Sequence, residues 1–130
     1  KKCVEAKERG DSDIQVWGTG SASREYLYVE DAAAAIVRAA EVRDSAEPLN
    51  LGNNHEITIR ETVETIAEVV GFTGKLVWDP SKPDGQPRRR VDASEAERAL
   101  QWKAQVTFRA GLEKTVEWYL THRKEAERAT

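Results

Sequence analysis

The stretch from Trp17 to Ala33, WGTGSASREYLYVEDAA, constrains this chain more than any other part of it. A Gly-rich turn, an Arg-Glu pair of a buried type and an aromatic strand stand directly before a capped helix. Strand and helix signals this close together point to an α/β or α+β chain. The same order suits a site for an anionic sugar ligand.

The rest of the chain extends that pattern. The first residues read as the second half of a helix that ends at Gly10. Ile14 to Trp17 alternates as a short strand, and Glu25 to Val29, rich in Tyr, Leu and Val, reads as a second. Asp31 is the expected N-cap of a helix that carries Ala32, Ala35, Ile36 and Ala39 on one small-residue face. Pro48 to Leu51 reads as a brief strand. Thr58 to Glu61 is a capping-box pattern, with Ile59, Val63, Ile66, Ala67 and Val70 as the stripe behind it and Gly71 as the stop. Lys75 to Trp78 is a further strand, and Ser81 to Arg90 (SKPDGQPRRR) is a loop. Asp92 and Glu95 are spaced as cap and partner for a short helix through Leu100. Thr107 can cap a last helix that buries Phe108, Leu112, Thr115, Val116, Tyr119 and Leu120. The charged tail after His122 is expected to fray.

Composition bounds the function. A chain of 130 residues fits one domain, 1–130. Its net charge of −3 argues against a general nucleic-acid binder, and no segment is long and apolar enough for a membrane span or signal peptide. The single cysteine, Cys3, excludes an internal disulfide and suits a cytoplasmic setting; it reads as a small buried helix residue. There is no methionine, which fits a trimmed piece of a longer product.

Several kinds of chemistry lack their parts. Gly18-Thr19-Gly20 has two glycines where a dinucleotide-binding turn needs three, and a strand follows it instead of a helix. A short-chain reductase uses a Tyr with a Lys four residues on. Tyr26, Tyr28 and Tyr119 have Glu30, Ala32 and Arg123 there. His55 and His122 lack ligand spacing, so no metal site is expected. No nucleophile elbow is present. No catalytic residue is therefore assigned.

Two segments look chemical. Arg24 follows a loop of small residues and precedes an apolar strand, and its planar guanidinium fits phosphate oxygens. A structural ion pair with Glu30 or Asp31 is the competing reading. The second segment is the 81–90 loop, with Lys82 at one end and Arg88, Arg89 and Arg90 at the other. It can present cations to a diphosphate, or it can be a solvated basic loop. Trp17 and Trp78 each end a strand, where an indole either stacks on a sugar or base or packs in the core. Trp102 and Trp118 read as packing residues.

Together the two segments resemble the C-terminal part of extended short-chain dehydrogenase/reductases, the NAD-dependent epimerase/dehydratases that act on nucleotide sugars. The GDP-L-fucose synthase branch is the most similar. WGTGSASREYLYVEDAA is similar to its Trp-Gly-x-Gly, Arg-Glu-aromatic, Tyr-Val-Asp-Asp stretch. SKPDGQPRRRVD is similar to its Lys-Pro-Asp-Gly-x-Pro-Arg loop, and PLNLGNNHEITIRE and WYLTHR also match. Tyr26 stands where Phe is usual and Glu30 where Asp is usual.

The resemblance implies a two-part enzyme. An N-terminal Rossmann domain holds NADP(H) and the Tyr-Lys pair, and a smaller C-terminal portion of short strands and flanking helices closes over the substrate. It implies that Trp17, Arg24 and Lys82 contact the GDP-sugar, with Arg24 near the diphosphate and Arg88 a lesser contact. This chain then binds a nucleoside diphosphate sugar, carries no cofactor and is not catalytic alone. The surface left bare by the Rossmann half favours a homo-oligomer. A free-standing interaction or oligomerisation module derived from the same fold is the alternative.

Overall fold

The computed structural model describes residues 1–128. In chain order the elements are α1 (Lys2–Arg9), β1 (Asp13–Trp17), β2 (Ser23–Glu25), α2 (Val29–Val42), β3 (Glu56–Thr58), α3 (Ile59–Val70), β4 (Lys75–Asp79), β5 (Arg88–Arg89), α4 (Ser94–Leu100), α5 (Phe108–Thr121) and α6 (Arg123–Ala126). They form an α/β fold with two small sheets. β1 and β4 pair in parallel from Asp13↔Lys75 to Trp17↔Asp79. The second sheet has the order β3-β2-β5, antiparallel on one side of β2 and parallel on the other.

The main core lies where α1, β1 and α3 meet. Cys3, Val4, Ala6, Ile14, Ala67, Val70 and Phe72 are buried there, with Val16, Leu76 and Val116 packed against them. Cys3 is thus a buried helix residue, and burial pushes its thiol pKa up. A second buried group links α2 to α4, where the small face of α2 permits close approach. Ala35, Ala96 and Leu100 are fully buried, and the Leu100 side chain alone contributes about 2 kcal/mol of apolar transfer free energy.

Several signals that depend only on near neighbours are met. α1 and α3 end on Gly10 and Gly71 in the left-handed conformation. Thr58 and Glu61 form the reciprocal capping box. The Thr107 hydroxyl accepts from the Ala110 amide at 3.3 Å and caps α5.

Other expectations are corrected. The second strand covers Ser23–Glu25 instead of Glu25 to Val29. Its short partner β3 ends the ladder, and the aromatic residues that follow turn to pack on α5. The Tyr26 ring lies 5.1 Å from that of Phe108, and a Cβ on Gly111 would come within 2.9 Å of Tyr28. The following helix begins at Val29, so Asp31 lies inside its first turn and not at the cap. Its buried carboxylate accepts from the amides of Gln105 at 3.1 Å and Val106 at 2.9 Å, tying α2 to the approach of α5.

Residues 48–51 form no strand. The cap position of α4 is Ala93, while Asp92 accepts from the Ser94 amide just outside the helix and Glu95 pairs with Arg98. The 81–90 loop holds the two-residue strand β5. On α5 Leu120 is exposed, and Trp118 stacks on His122 at the surface instead of packing inside. The tail after His122 includes the short helix α6.

Candidate anion-binding site

The end of β1 and the 80–91 segment meet face to face. Trp17 is 70% exposed at the tip of the strand. Behind it the chain turns through Gly18 in a left-handed conformation, with φ 84°. A side chain at Gly18 would collide with the Asp84 carboxylate, so the close approach of the two loops requires a glycine there. Asp84 Oδ1 accepts from the Thr19 amide at 2.6 Å and the Gly20 amide at 3.3 Å, and Oδ2 accepts from the Thr19 hydroxyl at 2.7 Å. These bonds hold the Asp84 carboxyl below its ordinary pKa. The turn's amides are therefore engaged by the protein's own carboxylate. The Gly18-Thr19-Gly20 turn does not fit a cradle for the pyrophosphate of a dinucleotide.

The two tryptophans that end strands have different surroundings. Trp78 lies under the turn, where a Cβ on Gly20 would approach its ring to 2.7 Å. The Arg60 guanidinium covers it at 4.3 Å from the ring centroid. Trp78 is thus packed. Trp17 is open, and the Lys82 ammonium sits 5.7 Å from its ring centroid.

Arg24 lies on β2, directly opposite Ile57 of β3 and Arg89 of β5. Its Nη1 donates to the carbonyls of Ser23 at 2.6 Å and Gln86 at 2.8 Å. It pairs with neither Glu30, which holds Lys114, nor Asp31, which accepts from backbone amides. Arg24, Arg89 and Arg90 line an open hollow of about 530 Å³, floored by Leu27, Leu51 and Gly52. Among the described residues neither Arg89 nor Arg90 forms a hydrogen bond or ion pair with a protein carboxylate. Glu25 also borders the hollow, but its carboxylate is occupied by the amides of Asn53 at 2.6 Å, Asn54 at 2.9 Å and Val91 at 3.0 Å.

Arg88 is placed differently. Alternation along a strand sends neighbouring side chains to opposite faces. Arg88 therefore joins Ser23 and Glu56 on the other face, where its Nε lies 2.9 Å from both Glu56 oxygens. Hydrogen bonds from Arg88, then from Ser23, lower the Glu56 carboxyl to about 2. So the residues singled out in the sequence fall into three groups: Trp17 with Lys82, Arg24 in the hollow, and Arg88 on Glu56. Arg89 and Arg90 are the additional cations beside Arg24. Their sequence signal, the Arg run itself, does not say which arginine faces which way.

A smaller cleft of about 250 Å³ separates the Tyr26–Tyr28 segment from α3 and α5. Its walls include Leu27, Ile66, Val106, Phe108 and Leu112 and, among the described residues, no charged one, so it does not suit an anion.

The chain is similar along most of its length to known proteins. The family model for GDP-mannose 4,6 dehydratase matches residues 1–115. GDP-L-fucose synthase 1 of Arabidopsis thaliana is 47% identical over 116 residues, which cover 89% of this chain and 36% of that protein. GDP-L-fucose synthase of Escherichia coli (strain K12) is 38% identical over 125 residues, covering 89% of this chain and 39% of that one. The crystal structure of a GDP-L-fucose synthetase from Naegleria fowleri bound to NADP superposes with a TM-score of 0.87 at 30% identity. That match covers 95% of this chain and 39% of the other. The chain thus spans little more than a third of the length of these relatives. With the turn, the Arg-Glu strand and the basic loop all in place on that fold, the chain belongs to the GDP-mannose 4,6 dehydratase family of extended short-chain dehydrogenase/reductases, matching the C-terminal part of GDP-L-fucose synthase.

Proposed function

We propose that this chain binds a nucleoside diphosphate sugar, GDP-linked, as the substrate-binding part of an NAD(P)-dependent nucleotide-sugar epimerase/reductase. The observation that carries the proposal is the in-register pair Arg24↔Arg89. Like charges directly opposite on neighbouring strands destabilise a sheet. Among the described residues neither guanidinium forms an ion pair with a carboxylate, and the nearby Glu25 directs its oxygens to three amides instead. A bound diphosphate supplies the missing counter-charge through charge-assisted hydrogen bonds.

In this reading Arg24, with Arg89 and Arg90, holds the diphosphate. Lys82 adds a cation at the edge, and the open indole of Trp17 stacks on the base or sugar. Arg88 supports the sheet through Glu56. The hydride donor NADP(H) and the acid-base residues belong to the remainder of the full-length enzyme, in a cytoplasmic setting. Titration with GDP and guanosine tests the reading. Saturable, salt-weakened binding of GDP at millimolar strength is expected, because half of a two-part cleft buries less ligand. Guanosine, which has no diphosphate, should bind far more weakly; equal binding of both would remove the proposal.

A second reading, a non-catalytic interaction or oligomerisation module, draws on α2. Val29, Ile36 and Val37 are 68%, 61% and 60% exposed along that helix. Such a patch favours association with a second copy. The two readings are compatible for this chain, and indifference to GDP alongside self-association would leave only the second.

A further inference from the structure

Glu25 is an acid where charge argues against one. It borders the basic hollow, where it opposes an anionic ligand. It also stands opposite Glu56 in the register of β2 and β3, and like charges directly opposite weaken a sheet. Glu56 is neutralised by Arg88, whereas Glu25 forms no ion pair among the described residues. Its carboxylate instead joins two separate stretches of backbone. Oε1 accepts from the Asn53 amide at 2.6 Å and the Asn54 amide at 2.9 Å, and Oε2 accepts from the Val91 amide at 3.0 Å. The 52–54 turn is shaped around the first oxygen. Asn54 is left-handed, with φ 57°, and a Cβ on Gly52 would collide with the Glu25 carboxylate.

We propose that Glu25 is a positioning residue for diphosphate binding, which clamps the 52–54 turn to Val91 and so fixes Arg90 at the wall of the hollow. This inference rests on the function proposed above. β5 is only two residues long, and its ladder with β2 ends at Arg24↔Arg89. Backbone pairing therefore holds Arg89 but not the residue after it. Glu25 takes over where the ladder stops, through its side-chain bond to Val91. Arg90 lies between these two fastened residues and lines the hollow with Arg24 and Arg89. Releasing Val91 frees the chain beyond the ladder and lets Arg90 leave the wall.

Charge and geometry predict opposite signs. Removing a negative charge strengthens binding of an anion, while releasing the clamp weakens it. GDP titrations of the whole chain at low salt, where charge-based binding is least screened, separate the two. The variants are Glu25→Gln, Arg90→Gln and the double variant. The Gln oxygen can still accept from the Asn53 and Asn54 amides, but its amino group then meets the Val91 amide, donor against donor. Glu25→Gln is expected to weaken GDP binding about fivefold. In the Arg90→Gln background the same change should stay within about twofold, since the two residues act as a unit.

Thermal melts report whether each variant is folded. If Glu25→Gln is not folded, Gly52→Ala takes its place in the cycle. It keeps the carboxylate but pushes it aside and crowds the Val91 side chain at 2.9 Å, so it should give a loss of the same kind. Unchanged or tighter GDP binding by the folded variant, or an equal loss in the Arg90→Gln background, would overturn the positioning role while leaving nucleotide binding intact. Failure of the parent chain to bind GDP would overturn both.

Discussion

Arg24 and Arg89 face each other in register across the parallel strands β2 and β5, two guanidinium side chains on one side of a three-stranded sheet. Arg24 spends one nitrogen on backbone carbonyls, and among the described residues the Arg89 guanidinium has no hydrogen-bond partner. Arg89→Gln is therefore expected to hold or slightly raise the melting temperature, since a like-charge cross-strand pair costs a few tenths of a kcal/mol or more. The same substitution should weaken GDP binding about tenfold, the scale of one lost charge-assisted bond. Melting curves and titrations on one preparation check both halves. A large fall in melting temperature with unchanged GDP binding would assign Arg89 to the sheet instead.

Arg88 is predicted to behave in the opposite way. It holds Glu56 with two short bonds on the far face of the sheet. Arg88→Ala should lower the melting temperature while GDP affinity stays within about twofold, because lost packing and pairing act on the fold and not on the hollow.

The same pair sets a pH dependence. The Glu56 carboxyl is lowered from 4.5 to about 2 in the folded chain. A lowered folded pKa means that the ionised form is favoured by folding, so the stabilisation is complete above about pH 4.5. It fades as pH falls toward about 2. Denaturant midpoints measured across that window should drop with acid in the parent chain and drop less in Glu56→Gln.

The start of α3 offers a purely local test. Thr58 accepts from the Glu61 amide, and Glu61 reaches back to the Thr58 amide at 2.8 Å. Thr58→Ala should cost about 1 kcal/mol and lower the melting temperature by about 4 °C. No change in the thermal melt would mean that the β2-β3 pairing alone sets the entry to the helix.

Self-association is predicted to run through α2. Replacing an exposed apolar residue at the centre of that face, as in Ile36→Glu, should shift light scattering toward the monomer. A parent chain that is already monomeric at high concentration would contradict the expectation.

The Thr58–Glu61 capping box, the Thr107 cap, the glycine stops and the α/β class were legible because each depends on residues a few positions apart. Asp31 was not, because its partners, the amides of Gln105 and Val106, lie far along the chain and outweigh a local cap. The end of the second strand was also hidden. β-propensity favours Tyr26 to Tyr28 in a ladder, yet packing against Phe108 and Gly111 takes them out of it. Within the site, the Arg run announced a basic loop. Only the register of β5 on β2 decides that Arg89 faces the hollow and Arg88 faces Glu56. The same holds for the tryptophans. Both end strands, but Arg60 and Gly20 close over Trp78 and leave Trp17 open.

The most direct measurement is a two-dimensional amide NMR titration of the chain with GDP. The account predicts shifts concentrated on the walls of the Arg24 hollow, at Gly52 and from Arg89 to Val91, with a second group at Trp17 and Lys82. An unmoved spectrum, or shifts confined to the apolar cleft between α3 and α5, would contradict it.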